Sequence, residues 1–224
     1  MTALSIIVPV LDEAAGITAT LSALAPLRAA GHQVIVVDGG SRDGTATLAA
    51  PLADAVLPGE RGRARQMNTG AAAAAGQVLL FLHADTLLPP QADVPVLRAV
   101  ARGAGWGRFD VRISGQSRWL PVVARLMNIR SQLTGIATGD QAIFVKADLF
   151  RQLGGFALQP LMEDIELCRR LRRTGPPACL RERVLTSGRR WETRGVWRTI
   201  GLMWWLRWRY WRGETPEALA HAYR

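Results

Sequence analysis

LSIIVPVLDEAAGITATLSALAPLRAAGHQVIVVD, residues 4–38, decides the fold. Two short β-branched runs, 4–10 and 33–38, bracket an alanine- and leucine-rich stretch whose helical periodicity ends near Gly31. Runs this apolar read as strands buried on both faces, which requires a parallel sheet covered by helices. Both runs end in acid, because Asp12-Glu13 follows the first and Asp38 closes the second. In an open parallel α/β sheet the carboxyl ends of the strands face one crevice, so carboxylates placed there converge from distant parts of the chain.

Outward from this unit the alternation continues. A weaker apolar piece at 55–57 predicts a third strand, Gly62 to Ala75 a helix, and Val78 to Leu82 a buried strand with Asp85 just beyond it. After Pro89-Pro90 the pattern predicts a helix over 91–102, a strand near 106–113 and a helix near 118–131. A short strand at 142–145 and helices at 147–153 and 162–173 follow, the last opened by Glu163-Asp164. The expectation is an α/β fold with a mostly parallel central sheet flanked by helices. Side chains 12, 38, 85 and 164 should then share one pocket. Clustered carboxylates repel one another unless a cation or hydrogen-bond donors join them, which favours a hard divalent metal and a phosphate-bearing ligand.

Composition narrows the class. At 224 residues the chain suits one domain. Asp12 and Glu13 interrupt the first apolar run, so a secretory leader is not expected. Cys168 and Cys179 have neither metal-ligand spacing nor the density of a disulfide scaffold, which suits a reducing cytoplasm. The net charge is +10, and every basic side chain except Lys146 is arginine. Such a surface attracts nucleotides, nucleic acid or anionic lipid. A dinucleotide fold would carry G-x-G-x-x-G after its first strand, where this chain has Val10-Leu11-Asp12-Glu13, and no phosphate-cradling G-x-x-x-x-G-K-[ST] loop occurs.

VPVLDE, VVDGGSRDGT, GRARQMNTGAAAAAGQVLLFLHADT, GDQAIFV and MEDIELCRRLRRTG, in that order over about residues 4–175, resemble glycosyltransferase family 2. GRARQMN, HADT and GDQAIF are most similar to its small stand-alone bacterial members near arsenosugar biosynthesis. The resemblance implies a GT-A catalytic domain over residues 1–190. It also implies inverting transfer of a sugar from a UDP- or GDP-linked donor to an acceptor hydroxyl. It sets Pro9, Asp12 and Glu13 against the nucleotide, Asp38 against its base with Gly40 in the following turn, and Asn68 beside the same ligand. Arg63 and Arg65 fall where family members hold the diphosphate, at a helix start that itself favours anions. His83-Ala84-Asp85 stands in the place of the family's D-x-D, so Asp85 becomes the ligand for Mg²⁺ or Mn²⁺, with His83 replacing the first carboxylate. Asp140 or Gln141 would bond an acceptor hydroxyl, and Glu163-Asp164 resembles the E-D motif whose aspartate is the catalytic base. Helix caps and turns would use many of the same acids.

The tail is basic and tryptophan-rich over 191–224. Arg190-Trp191 resembles the end of the Q-x-x-R-W signature, and Arg189 or Arg190 could neutralise a leaving diphosphate. From Arg194 to Arg212 the pattern is an amphipathic helix, with Arg207 in the middle of its apolar side. Such a helix over 195–212 suits the inner face of the cell membrane, where a lipid-linked acceptor would lie, the sheet, or a second subunit of a homodimer. Two other readings compete with sugar transfer: nucleotidyl transfer in the same crevice, and a non-enzymatic basic module for membrane or nucleic acid. No specific nucleic-acid partner is expected.

Overall fold

Leu4–Val10 forms strand β1, buried along its whole length, in a computed structural model that describes residues 3–223. After it come α1 (Ala14–Ala23), α2 (Ala25–Ala29), β2 (Gln33–Asp38), α3 (Thr45–Ala49), β3 (Ala55–Pro58), α4 (Arg63–Ala72) and β4 (Val78–Phe81). The middle of the chain folds as β5 (Thr86–Leu87), α5 (Asp93–Ala101), β6 (Trp106–Ser114), α6 (Leu120–Thr134), β7 (Phe144–Lys146) and α7 (Ala147–Gln152). It ends in α8 (Glu163–Leu171), β8 (Ala178–Ser187), α9 (Arg189–Arg194), α10 (Val196–Trp211) and α11 (Pro216–Tyr223).

Among the described residues the strands make one sheet in the order β3-β2-β1-β4-β7-β6-β8-β5. The first four are parallel. Beyond β4 the sheet is mixed, because β7 runs antiparallel to both β4 and β6 while β8 runs parallel to β6. α6 and the one-turn 3-10 helix Gly139–Gln141 stay at the carboxyl edge of the sheet, so the chain re-enters from that edge and β7 must run backwards. The sequence pattern does not announce the ten-residue strand β8.

Successive residues of β1 face opposite layers, as pleating requires. Ile6 and Val8 join a core with Ile17, Leu21, Val96 and Val123 on one face. Ile7 joins Met67, Phe150, Leu167 and Cys168 on the other. Gly70 lets α4 lie on β1, since a β-carbon there would stand 2.5 Å from Ile7 Cγ2. The C-terminal helices fold back on the sheet-bearing part: Leu206 and Leu219, both fully buried, pack against Met162 and Ile165 at the start of α8.

Candidate active site

At the carboxyl ends of β1 and β4 lies a cavity of about 1060 Å³, lined on its far side by α6, α8 and α10. The chain brings Pro9, Glu13, Arg63, His83, Ala84 and Asp85 to one part of its wall, with Asp140, Glu163, Asp164, Arg190 and Trp191 completing it. Trp191 also packs on the core, and Arg190 lies over the Tyr223 ring.

Six expected residues stand outside that wall: Asp12, Asp38, Gly40, Arg65, Asn68 and Gln141. The Asp38 carboxylate accepts from the Ser41 N–H and hydroxyl. The Asp12 carboxylate accepts from the Arg42 N–H at 2.8 Å, while the Asp12 N–H donates to Ser41 Oγ at 2.9 Å. These two acids therefore shape the loop around Gly40 beside the cavity. Asp12 adopts the left-handed conformation (φ +54°), which a short polar side chain with such local bonds tolerates. Arg65 pairs with Glu60. Asn68 clamps the Phe156 backbone, donating to its carbonyl and accepting from its N–H, both at 2.9 Å. Gln141 is fully buried and donates to Ser131 Oγ at 2.9 Å, so it braces α6 rather than facing a ligand.

The acids on the wall are wired together. The Asp164 Oδ2 accepts from the Gly139 N–H at 2.9 Å, and its Oδ1 from the Ile165 N–H at 2.7 Å. Beside that turn, His83 Nδ1 meets Asp140 Oδ1 at 3.2 Å. Only glycine fits at 139, because a β-carbon would stand 2.2 Å from His83 Nε2. Met162, just before α8, is held in the left-handed region (φ +66°), a costly conformation for a bulky residue. It starts the helix so that Glu163 turns inward, 6% exposed, and Asp164 faces the cavity.

Electrostatics separates these acids. Burial, reinforced by the charge of Asp164, pushes Glu163 up to about 7, while Arg63 and His83 oppose the rise. Burial also works against the charge of Asp140, though its side chain keeps 43% of its surface accessible. The hydrogen bond and charge of His83, helped by Arg63 and Arg190, outweigh it and hold Asp140 at about 2. Glu13 is raised by burial and by Asp85, against the pull of Arg189 at 3.9 Å and Arg63.

Among the described residues no group of three or more His, Cys, Asp or Glu side chains forms a metal cage. A magnesium or manganese ion bound with a nucleotide needs only one or two protein carboxylates, its other positions being filled by phosphate oxygens and water. Asp85 suits that role: it is exposed on the cavity wall beside Arg190, with only a 3.5 Å contact from the Thr86 hydroxyl.

Residues 5–152 match the family Glycosyl transferase family 2. The chain belongs to that family. Its fold is the GT-A fold of solved glycosyltransferases. Staphylococcus aureus TarS 1–349 in complex with UDP superposes with a TM-score of 0.68 at 15% identity, over 83% of this family 2 chain and 60% of that one. The mannosyltransferase PcManGT from Pyrobaculum calidifontis, in complex with GDP-Man and Mn²⁺, gives 0.66 at 21% identity, over 98% and 68%. Glucosyl-3-phosphoglycerate synthase from Mycobacterium tuberculosis with Mn²⁺, UDP and glucosyl-3-phosphoglycerate gives 0.61 at 21%, over 83% and 71%. The chain thus spans about three-fifths of the TarS fragment's length. No curated protein matches it.

Several wall residues escaped the sequence reading. Gln66 donates to the Val10 and Val37 carbonyls at 2.7 and 2.8 Å, tying the ends of β1 and β2 together. Arg61 precedes the Gly62 cap of α4, and Arg130 and Arg207 enter from α6 and α10. The one readable signal was an arginine in an otherwise apolar helix face at 207, and Arg130, between Leu126 and Leu133, repeats it.

Proposed function

We propose that this protein is an inverting glycosyltransferase that moves a sugar from a UDP- or GDP-linked donor to an acceptor hydroxyl, with Asp164 as general base. The observation that carries the reading is the wall of one cavity, lined together by Asp164, Asp85 and a cluster of arginines. Arg63 sits at the N-terminus of α4 and Arg190 on α9, both within charge range of Asp140. A helix N-terminus and two guanidinium groups suit a diphosphate in the ground state, and its added charge as it leaves.

Asp164 takes the acceptor proton as that oxygen bonds to the anomeric carbon. The bond from that carbon to the diphosphate oxygen breaks on the opposite face, so configuration inverts. The Gly139 N–H fixes one carboxylate oxygen, which orients the base before the acceptor arrives. Beside it, burial holds the Glu163 carboxyl up at about 7. Mg²⁺ or Mn²⁺ held by Asp85 would supply further neutralisation of the diphosphate. TarS bound to UDP and PcManGT bound to GDP-Man and Mn²⁺ support the donor class. Kinship with the branch near arsenosugar biosynthesis rests on GRARQMN, HADT and GDQAIF.

Asp164→Asn keeps shape and removes the base. Transfer should fall by about 10²–10⁴-fold, with binding of UDP or GDP unchanged by calorimetry. Retained turnover would place the base elsewhere.

The outer face of α10 supports a second proposal, contact with the inner face of the cell membrane. Trp197, Trp204, Trp208 and Trp211 recur on one side and are 65%, 72%, 51% and 74% exposed. Arg209 and Arg212 stack on Trp205 and Trp208 at 4.2 and 4.8 Å. Among the described residues no helix is long and apolar enough to cross a membrane, so the contact is interfacial.

A further inference from the structure

Two arginines on the cavity wall belong to neither the diphosphate side nor any ion pair. Arg130 lies on α6 between Leu126 and Leu133, and Arg207 on α10 one turn beyond Met203, so each interrupts the apolar stripe its helix turns to the cavity. Arg63 and Arg190 influence each other and Asp140; Arg130 and Arg207 share Asp164 as a neighbour, and Arg207 is within charge range of Asp140 as well. Neither Arg130 nor Arg207 makes a salt bridge among the described residues. The Nε and Nη2 of Arg130 are buried without a hydrogen-bond partner.

Two half-buried guanidinium groups facing one cavity oppose the fold unless an anion joins them. Burial lowers both, Arg130 to about 10 with the charge of Arg207 adding to the effect, and the charge of Asp164 offsets only part of it. Around them the mouth is apolar and open to solvent: Leu126 is 59% exposed, Ile129 42%, Leu133 81% and Trp204 72%. A soluble sugar acceptor needs no such rim.

We propose that Arg130 and Arg207 form an anion subsite that selects the acceptor, a hydroxyl-bearing amphiphile whose head carries a phosphate or carboxylate and whose apolar chain runs out between α6 and α10. The assignment rests on the glycosyltransferase reading, because Asp164 fixes where the hydroxyl must lie. The anion bridges the two guanidinium groups, each able to donate in bidentate fashion. It also separates acceptor charge from donor charge, since the diphosphate has Arg63 and Arg190 of its own.

Calorimetry with three probes tests this: a single-chain phosphatidylglycerol, the monoacylglycerol of the same chain, and glycerol phosphate. The charged amphiphile should bind tightest, and Arg130→Gln or Arg207→Gln should each weaken it about tenfold. Affinity for UDP or GDP with Mn²⁺ should not change. Equal binding of the neutral amphiphile, or no binding of any probe, would overturn the anion subsite. Equal binding of glycerol phosphate would overturn the apolar chain and leave a soluble anion as ligand. A parallel loss of nucleotide affinity in the variants would hand both arginines to the donor.

Melting temperature guards against a structural explanation. Removing a half-buried charge that makes no salt bridge should leave it level or raise it, whereas a fall in both variants would make the arginines part of the scaffold and end the proposal. If no nucleotide binds with any metal, the donor reading fails while charge-selective amphiphile binding still reports on Arg130 and Arg207.

Discussion

Glu163 and Asp164 are chain neighbours on one cavity wall, set apart after the left-handed turn at Met162 by burial, which leaves Glu163 6% exposed and Asp164 more open. Glu163 binds its proton more tightly folded, at about 7, than unfolded, near the ordinary 4.5. Its contribution to stability is therefore fully present below pH 4.5 and lost as pH rises through 7, by about 3 kcal/mol at most. Glu163→Gln should melt higher than wild type at pH 8, with the two curves converging near pH 4.5. A constant difference across that range would mean the carboxyl is not held neutral. The acids of this cavity were legible in the sequence because strand ends and a helix start announce them. The pairing of His83 with Asp140 was not, since 57 positions separate them and only the Gly139 turn brings them together. Asp12 and Asp38 show the converse. Their positions were legible, but which neighbours would occupy their oxygens, here Arg42 and Ser41, depends on a loop conformation that residue types do not encode.

At the level of elements, β-branched runs announce β1 and β2 and a plain apolar run announces β4, while β8 is hidden by the Arg181-Glu182-Arg183 triplet in its middle. Those three side chains are exposed, and the strand is held by its register with β6, where Val184 pairs with Val111 and Thr186 with Ile113. A long partner thus overrides a local sequence that reads as loop. α10 deceived in another way. Its expected apolar side divides in space: Ile200, Met203 and Leu206 turn inward, while Trp204 and Trp211 face water. Arg207, anomalous in an apolar stripe, makes sense once that stripe is a cavity wall. Because Leu206 is fully buried against the start of α8, Leu206→Ala should cost about 2–5 kcal/mol, read as a lower denaturant midpoint. Trp208→Ala, outside that contact, should stay within about 0.5 kcal/mol. Equal effects would mean that α10 does not pack as described.

Across the whole molecule, chain segments far apart in sequence meet at one mouth. The parallel half of the sheet supplies Glu13 and Asp85, α8 supplies Asp164, and α10 lines the far wall. Trp119 of the turn before α6 touches Trp197 of α10 with ring centroids 5.0 Å apart, so the exposed apolar side chains of both helices form a continuous rim. With a net charge of +10 behind it, that rim should seat on anionic lipid, where each basic residue near the surface adds about 1 kcal/mol and salt screens the attraction. The chain should therefore sediment with vesicles containing phosphatidylglycerol, less so at high salt, and poorly with neutral phosphatidylcholine. Trp208→Ala combined with Trp211→Ala should release it without changing nucleotide binding, because neither side chain lines the cavity. Full recovery in the supernatant with anionic vesicles at low salt would remove the membrane from the account, and with it the reason for an apolar chain leaving between α6 and α10.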